Sequence, residues 1–566
     1  MLIPATSNRI FQHKKVIHSY RKLSPIQYKR FLNCSWILYP ESKILTTNHE
    51  NFQTIIDSSE LICLTKINLK KHMENHTMLQ YFEWYYPKDG SLWKKVKDDA
   101  SRLKAMGIDA VWLPPAHKGM EGESSTGYDS YDLYDLGEFD QKGSIRTKYG
   151  TKQDYIDAVH AAREAGIQVY SDIVLNHLGG ADDHEPVTVR KVNPDNRNEF
   201  ISEPFEIDAY TVFNYPGREG KHSQFKWDFQ CFTGVDYDAR TEESAVYSIQ
   251  NEYGSGWENV LDTENGNYDY LMLTDIDFRN PHVREELKKW GEWFYHTAEM
   301  DGFRLDAIKH MPAEFFNEWL DHMRSVTGKE LFTVGEYWSP GDLQSMLDYI
   351  NATGRRMSLF DACLQANFSR ASKEGENFDL TTILQGTLVE ALPELAVTLV
   401  ENHDTQPLQS LEQTVEPWFR AHAYAVILLR EAGYPCVFYS DVYGSSYTDK
   451  GTDGFDHEVT MEPLPQLEVL LNLRKDKAYG EQRDYLDHPS CIGWTRSGDD
   501  GHQNSGIAVI LSNGSAGTKR MEVGVHFAGS VFRDYLSHHQ GEVTIGEDGW
   551  AEFYCEAGSV SVWAKA

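Results

Sequence analysis

The run Gly302-Phe303-Arg304-Leu305-Asp306-Ala307-Ile308-Lys309-His310 sets an arginine and an aspartate two residues apart at the end of an apolar, strand-like stretch. Alternate side chains of a strand share a face, so Arg304 and Asp306 point the same way. A guanidinium beside a carboxylate lowers its pKa and holds it ionised. Such a carboxylate can attack an electrophilic carbon, and in glycosidases that carbon is anomeric. An isolated Arg-x-Asp is more often a plain strand-end ion pair. Three further runs weigh against that reading: Asp172 through Asn176-His177, Gly335-Glu336, and Glu401-Asn402-His403-Asp404. Carboxylates gathered in one place repel, and one of them acquires a raised pKa. One ionised carboxylate and one protonated acid, roughly 5 Å apart, form the pair that retaining glycoside hydrolysis needs.

Positioning these groups requires strands that all end at one mouth. From Met78 the chain alternates strand and helix. Met78–Trp84 reads as a strand, and residues 94–106 as a helix with Val96, Ala100, Leu103 and Met106 on one face. Ala110–Pro115 is a second strand, stopped by Pro114-Pro115. A helix over 151–165 starts on a capping-type Thr-x-x-Asp, and Gln168–His177 is the third strand. Residues 178 to about 275 break the alternation and are too long for a loop, so an inserted, mostly β domain is expected there. Asn280-Pro281 then opens a helix, and strands follow at 301–307, 331–337, 358–362, 396–404 and 434–441. Eight strands with helices between them predict an α/β fold, a (β/α)8 TIM barrel. From about 480 the pattern changes to short strands and polar turns, an antiparallel β domain. The expected organisation is therefore a barrel over 78–177 and 276–479, an insert over 178–275 and a C-terminal β domain over 480–566. An N-terminal extension over 1–77 lies outside the fold.

That extension differs in composition. Residues 1–72 contain no glycine, although the chain has 42, and carry 11 Lys/Arg against 4 Asp/Glu. Three readings stand: translated upstream sequence with the start at Met73 or Met78, a lineage-specific extension, or an organelle-targeting segment. The whole chain has 54 basic and 86 acidic residues, a formal charge of −32, which argues against nucleic acid or an acidic membrane as partner. Aromatic residues reach 13% and suit stacking on sugar rings. Seven scattered cysteines without a Cys-x-x-Cys pair suggest neither a zinc knuckle nor a disulfide framework, and fit a reducing compartment. No stretch approaches the roughly 20 apolar residues of a membrane span, and no secretory signal pattern opens the chain. A cytoplasmic monomer is expected.

The motifs Asp172-Ile-Val-Leu-Asn-His177, Gly302-Phe-Arg-Leu-Asp-Ala-Ile-Lys-His310, Gly335-Glu-Tyr-Trp338 and Val400-Glu-Asn-His-Asp404 resemble the four ordered signature regions of the α-amylase family, glycoside hydrolase family 13. Tyr81-Phe-Glu-Trp84, Gly127-Tyr-Asp-Ser-Tyr-Asp132, Asn267-Tyr-Asp-Tyr270 and Asp404-Thr-Gln-Pro407 look like bacterial α-amylases of the liquefying and cytoplasmic type. The resemblance covers about 78–566. It implies Asp306 as nucleophile, Glu336 as general acid/base and Asp404 as the third carboxylate, gripping hydroxyls of the cleaved sugar. It places His177 and His403 on the same sugar and makes Tyr128 its stacking platform, with Arg304 beside the nucleophile. Lys309 and His310 would line the leaving-group side.

Six acids, Asp236, Asp238, Glu258, Asp269, Asp275 and Asp277, crowd the insert. Such density usually means a solvated surface, yet hard oxygen ligands also bind Ca²⁺. The resemblance implies one Ca²⁺ tying insert to barrel through Asn176, the backbone carbonyl of His310, Asp269 and Asp275, with Asp236 a weaker candidate. Glu258 stands where many secreted relatives have Asp, which speaks against a multi-cation cluster. The expected activity is endo-hydrolysis of α-1,4-glucans such as starch, glycogen and maltodextrins. A transglycosylase, an oligosaccharide α-glucosidase and a non-catalytic homologue are the alternatives.

Overall fold

The computed structural model describes residues 75–566; the readings offered for residues 1–72 lie outside them. Eight parallel strands close a barrel: β1 (Met78–Gln80), β2 (Ala110–Leu113), β3 (Gln168–Ile173), β4 (Gly302–Leu305), β5 (Phe332–Gly335), β6 (Ser358–Phe360), β7 (Ala396–Leu399) and β8 (Tyr434–Phe438). Met78 stands opposite both Ala110 and Cys436, so β1 joins β2 to β8 and no sheet edge is left open. All eight are shorter at their C-terminal ends than the sequence suggested. The polar residues that follow turn out of the ladder into the loops of the mouth.

Helices α1 (Leu92–Ala105), α2 (Lys152–Glu164), α3 (Pro281–Ala298), α4 (Ala313–Thr327), α5 (Leu343–Ala352), α6 (Ala362–Glu374), α7 (Pro417–Leu429) and α8 (Leu467–Asp476) follow the strands in turn. Their local signals are those read in the sequence. α1 buries Leu92, Trp93, Val96, Ala100 and Leu103. Thr151 and Asp154 form a complete capping box at the start of α2. Asn280 caps α3 through the His282 N–H, with Pro281 at its first turn. Residues 75–77, assigned above to the extension, instead belong to the barrel. The Asn75 side chain donates to the carbonyls of Arg474 and Ala478, and the Thr77 carbonyl accepts from Asp109 and Ala110.

After β3 the chain enters an antiparallel sheet that begins at His177–Leu178 and returns through Thr274–Ile276. His177, read above as the end of the third barrel strand, pairs with Asp275 and so opens the insert sheet. The C-terminal part forms a six-stranded antiparallel sheet between Gln482 and Lys565 and a separate ribbon, Gly517–Glu522 against Trp550–Cys555. It has its own apolar core around Ile510, Phe532, Phe553 and Trp563. It is seated on α7, where the Trp494 indole donates to the Leu429 carbonyl and His422 meets the Ser512 carbonyl. An unexpected hairpin, Ser445–Lys450 against Asp456–Met461, projects after β8.

Candidate active site

Arg304 on β4 is the Cα partner of Asp172 on β3, and Leu305 is the partner of Gly335 on β5. This register puts the ends of three adjacent strands side by side. The Arg304 guanidinium is fully buried and holds three carboxylates at once. Nη1 donates to Asp172 Oδ1 at 2.8 Å and to Asp306 Oδ1 at 2.6 Å, while Nη2 donates to Glu336 Oε2 at 2.6 Å. A planar guanidinium suits such multiple charge-assisted bonds. Just past β4, Ala307 adopts a left-handed backbone with φ 49°, and its N–H donates to Glu336 Oε2 at 3.2 Å. A non-glycine residue in that region costs roughly 1–2 kcal/mol, strain stored directly beside the reacting groups.

The electrostatics separate the carboxyls. Burial pushes Asp306 up to about 6, although Arg304 opposes it. The sequence reading gave the arginine the larger effect; desolvation wins instead, because both groups are shut away from water. Burial also raises Glu336, and its hydrogen bond to Asp306 raises it further while lowering Asp306. The interaction between the two lowers Asp306 and raises Glu336, so it favours Asp306 as the ionised member and Glu336 as the holder of the proton. Asp404 lies well above the ordinary carboxylate range, through burial and then the charge of Glu336.

His403 stands beside Asp404, Nε2 to Oδ2 at 3.5 Å, and its Nδ1 accepts from the Gln80 amide at 3.1 Å. Burial keeps its imidazole neutral. Its ring stacks on Tyr128, centroids 4.9 Å apart, and Tyr128 lies parallel to Trp84 at 5.8 Å. The Tyr128 hydroxyl donates to Asp172 Oδ2 at 2.8 Å, and the Trp112 indole donates to the same oxygen at 2.9 Å. His177 donates from Nε2 to the Tyr128 carbonyl at 2.7 Å. Tyr128, His177 and His403 thus lie together, His177 on the Tyr128 carbonyl and His403 on the Tyr128 ring. Three participants lacked a role there: Asp172, which anchors Arg304, Tyr128 and Trp112; Gln80, which fixes the His403 tautomer; and Trp84. The cross-strand pairing of Asp172 with Arg304 was the signal available, but it requires the strand register.

Lys309 is no bare solvated charge. It lies 3.7 Å from Asp262 and 3.4 Å from Glu264 of the insert, and donates to the Trp338 carbonyl at 3.3 Å. His310 is buried, kept neutral near 3 by desolvation, and its Nδ1 donates to the Tyr268 carbonyl at 2.6 Å. Lys309, Tyr268, Trp338, Glu264, Arg370 and Gln413 line an open cleft of about 820 Å³.

The acids of the insert have divided duties. Asp277 is paired with Arg279, Glu258 accepts the Phe278 N–H, and Asp238 accepts the Arg240 N–H. Asp236, counted above among the metal ligands, accepts the Leu273 N–H at 3.0 Å. Asp269 likewise accepts a backbone N–H, from Glu258 at 2.9 Å. The Asn176 amide donates to Asp275 Oδ1 at 3.3 Å, and its Oδ1 is buried without a partner. Burial and then the charge of Asp269 push Asp275 far up, and burial takes Asp269 to about 7. An orphaned oxygen beside two desolvated acids is a donor set that suits a hard cation.

The family description "Alpha amylase, catalytic domain" matches residues 88–477. The chain belongs to the α-amylase family. "Alpha-amylase C-terminal" matches residues 507–564, within the antiparallel β region. An α-amylase of Geobacillus stearothermophilus is 50% identical over 493 residues, covering 86% of this chain and 87% of that protein. A cytoplasmic α-amylase of Escherichia coli K12 is 48% identical over 492 residues, 87% of this chain and 99% of that one. The crystal structure of an α-amylase from Geobacillus thermoleovorans complexed with acarbose shares the fold, with TM-score 0.55 at 18% identity, covering 87% of this chain and 96% of that one. No helix of the described residues is long and apolar enough to cross a membrane.

Proposed function

We propose that this α-amylase family member hydrolyses internal α-1,4-glucosidic bonds of starch, glycogen and maltodextrins with retention of configuration. The carrying observation is the buried Arg304 guanidinium bound at once to Asp306 and to Glu336, each at 2.6 Å, at the ends of neighbouring strands. Asp306 attacks the anomeric carbon while Glu336 protonates the departing oxygen, leaving a glucosyl ester on Asp306. Glu336, now a carboxylate, deprotonates the water that releases it. Asp404 and His403 hydrogen-bond hydroxyls of the same ring, which lies against Tyr128. The enzyme works as a cytoplasmic monomer. Asn176, Asp269, Asp275 and the His310 carbonyl would hold a single Ca²⁺, which would neutralise the acids and tie the insert to the barrel without taking part in bond making.

The discriminating experiment is incubation with soluble starch. Loss of iodine colour well ahead of the release of reducing ends, with short maltodextrins as products, supports this reading. Release of glucose alone, or products longer than the substrate supplied, favours the glucosidase or the transglycosylase. No change in the starch argues for the non-catalytic homologue.

A further inference from the structure

The cysteines looked scattered in sequence, yet two of the five among the described residues meet in the C-terminal β region. Cys491 begins the strand Cys491–Arg496 of the six-stranded sheet, and Cys555 ends the ribbon strand Trp550–Cys555. Both are buried as free thiols within the same apolar core. Gly517, the ribbon partner of Cys555, shows how close they come. A Cβ on Gly517 would lie 2.5 Å from the Cys491 sulfur and 3.5 Å from that of Cys555. The two sulfurs therefore lie within the sum of those distances of each other, and only glycine leaves them room.

We propose that Cys491 and Cys555 are a redox-responsive pair, closed to a disulfide by a peroxide and reopened by a thiol reductant. The order of events follows from their surroundings. The Cys555 thiol donates toward Cys491, and the Lys519 ammonium adds to this, so Cys491 is held below the usual thiol range while Cys555 is pushed above it. Cys491 is accordingly the attacking thiolate and Cys555 the resolving thiol. The Cys491 sulfur takes one oxygen from the peroxide. The O–O bond breaks, the other oxygen leaves as water, and a sulfenic acid forms. The Cys555 sulfur then displaces that oxygen as a second water. Two thiol hydrogens and hydrogen peroxide give one disulfide and two waters. Cys491 is the less enclosed of the two, 7% exposed against 2% for Cys555, so the attacking sulfur is the one nearer solvent. The bond would staple the ribbon to the main sheet and close the loop from 491 to 555, which constrains the unfolded chain. Both strands belong to the C-terminal β region, which carries none of the catalytic carboxyls, so the bond's effect falls on stability rather than turnover.

The test treats the full 566-residue chain with a small excess of hydrogen peroxide, quenches it, unfolds it in iodoacetamide and measures intact mass and peptides. The expected result is five of the seven cysteines alkylated, a linked peptide joining Cys491 to Cys555, and full alkylation after a thiol reductant. The oxidised protein should melt several degrees higher, reversibly. Cys555→Ser should give no linked peptide and should instead leave a sulfenic acid at Cys491 that dimedone traps. Alkylation of all seven thiols in the treated wild type, or a linkage that omits this pair, would overturn the proposal.

Discussion

Arg304 and Asp172 face each other across β3 and β4, register partners whose side chains meet at 2.8 Å. Through this pair the barrel fixes the guanidinium that both catalytic carboxyls share. Asp172 also raises Asp306 through its charge. Catalysis needs Asp306 ionised and Glu336 protonated, so kcat/KM should fall on the acid side with an apparent pKa near 6 and on the alkaline side as Glu336 loses its proton. The two values belong to the coupled pair. In Asp172→Asn the negative charge is gone, Asp306 ionises more easily, and the acid limb moves to lower pH. Turnover should drop about 10²-fold as Arg304 loses an anchor, roughly the penalty of a small misplacement. A pH–rate profile of the variant settles it; an acid limb unmoved or moved upward contradicts the assignment.

Lys309 touches only the cleft rim and the insert. Lys309→Ala should raise KM for long maltodextrins several-fold and leave kcat within about twofold, the mark of binding shared by ground and transition states. Its partly exposed ion pairs should cost less than about 1 kcal/mol of stability. A kcat loss of 10²-fold with KM unchanged would place Lys309 in the chemistry instead.

Much of this was legible in the chain. The eight strands, the insert and the C-terminal β region follow from apolar runs ended by polar residues and from the long break after 178. Carboxylates at strand ends were legible from the same pattern, which offers Asp172 and Glu401 as readily as Asp306, Glu336 and Asp404; the roles of the last three came from the resemblance to the α-amylase family. Burial was not legible: beside Asp306 the sequence shows an arginine but not the missing water, so the sign of its shift came out wrong. Contacts between residues distant in sequence were hidden for the same reason. Asp172 with Arg304, Gln80 with His403 and Cys491 with Cys555 are each neighbours only once the sheets are assembled. Composition counts the acids of the insert without showing which also serve a backbone N–H, as Asp236 and Asp269 do.

Glu401, next to the mouth but turned into the core, tests the balance of burial and charge. It accepts the Val415 N–H through Oε1, while Oε2 has no partner. Burial first, then the charge of Asp441, takes it to about 8, with Arg420 opposing. The folded protein therefore binds this proton more tightly than the unfolded chain does. Its stabilising contribution is complete below about 4.5 and is lost as pH rises through about 8. Glutamine cannot ionise, so Glu401→Gln should melt above wild type by a margin that widens from pH 5 to pH 8, by at most roughly 1.4 kcal/mol per pH unit. Melting curves at four pH values suffice; a margin that stays constant would refute the shift.

The proposed Ca²⁺ should stabilise the fold by about 2.7 kcal/mol at 100 times its Kd. Excess chelator should lower Tm, and added Ca²⁺ should restore it. Asp275→Asn should lose most of this response. Metal analysis of the chelated sample accompanies the melts, so that equal Tm values with the ion removed would count against the site.

The most direct test of the central claim is to catch the glycosyl-enzyme. Glu336→Gln lacks the acid/base but keeps Asp306, and an α-maltosyl fluoride needs little acid help in the first step. Rapid quenching followed by peptide mapping should show a maltosyl ester on Asp306, and none when Asp306→Asn is added to the same chain. Sugar attached to another residue, or brisk fluoride release giving the β-anomer with no ester on any carboxylate, would contradict the double displacement described here.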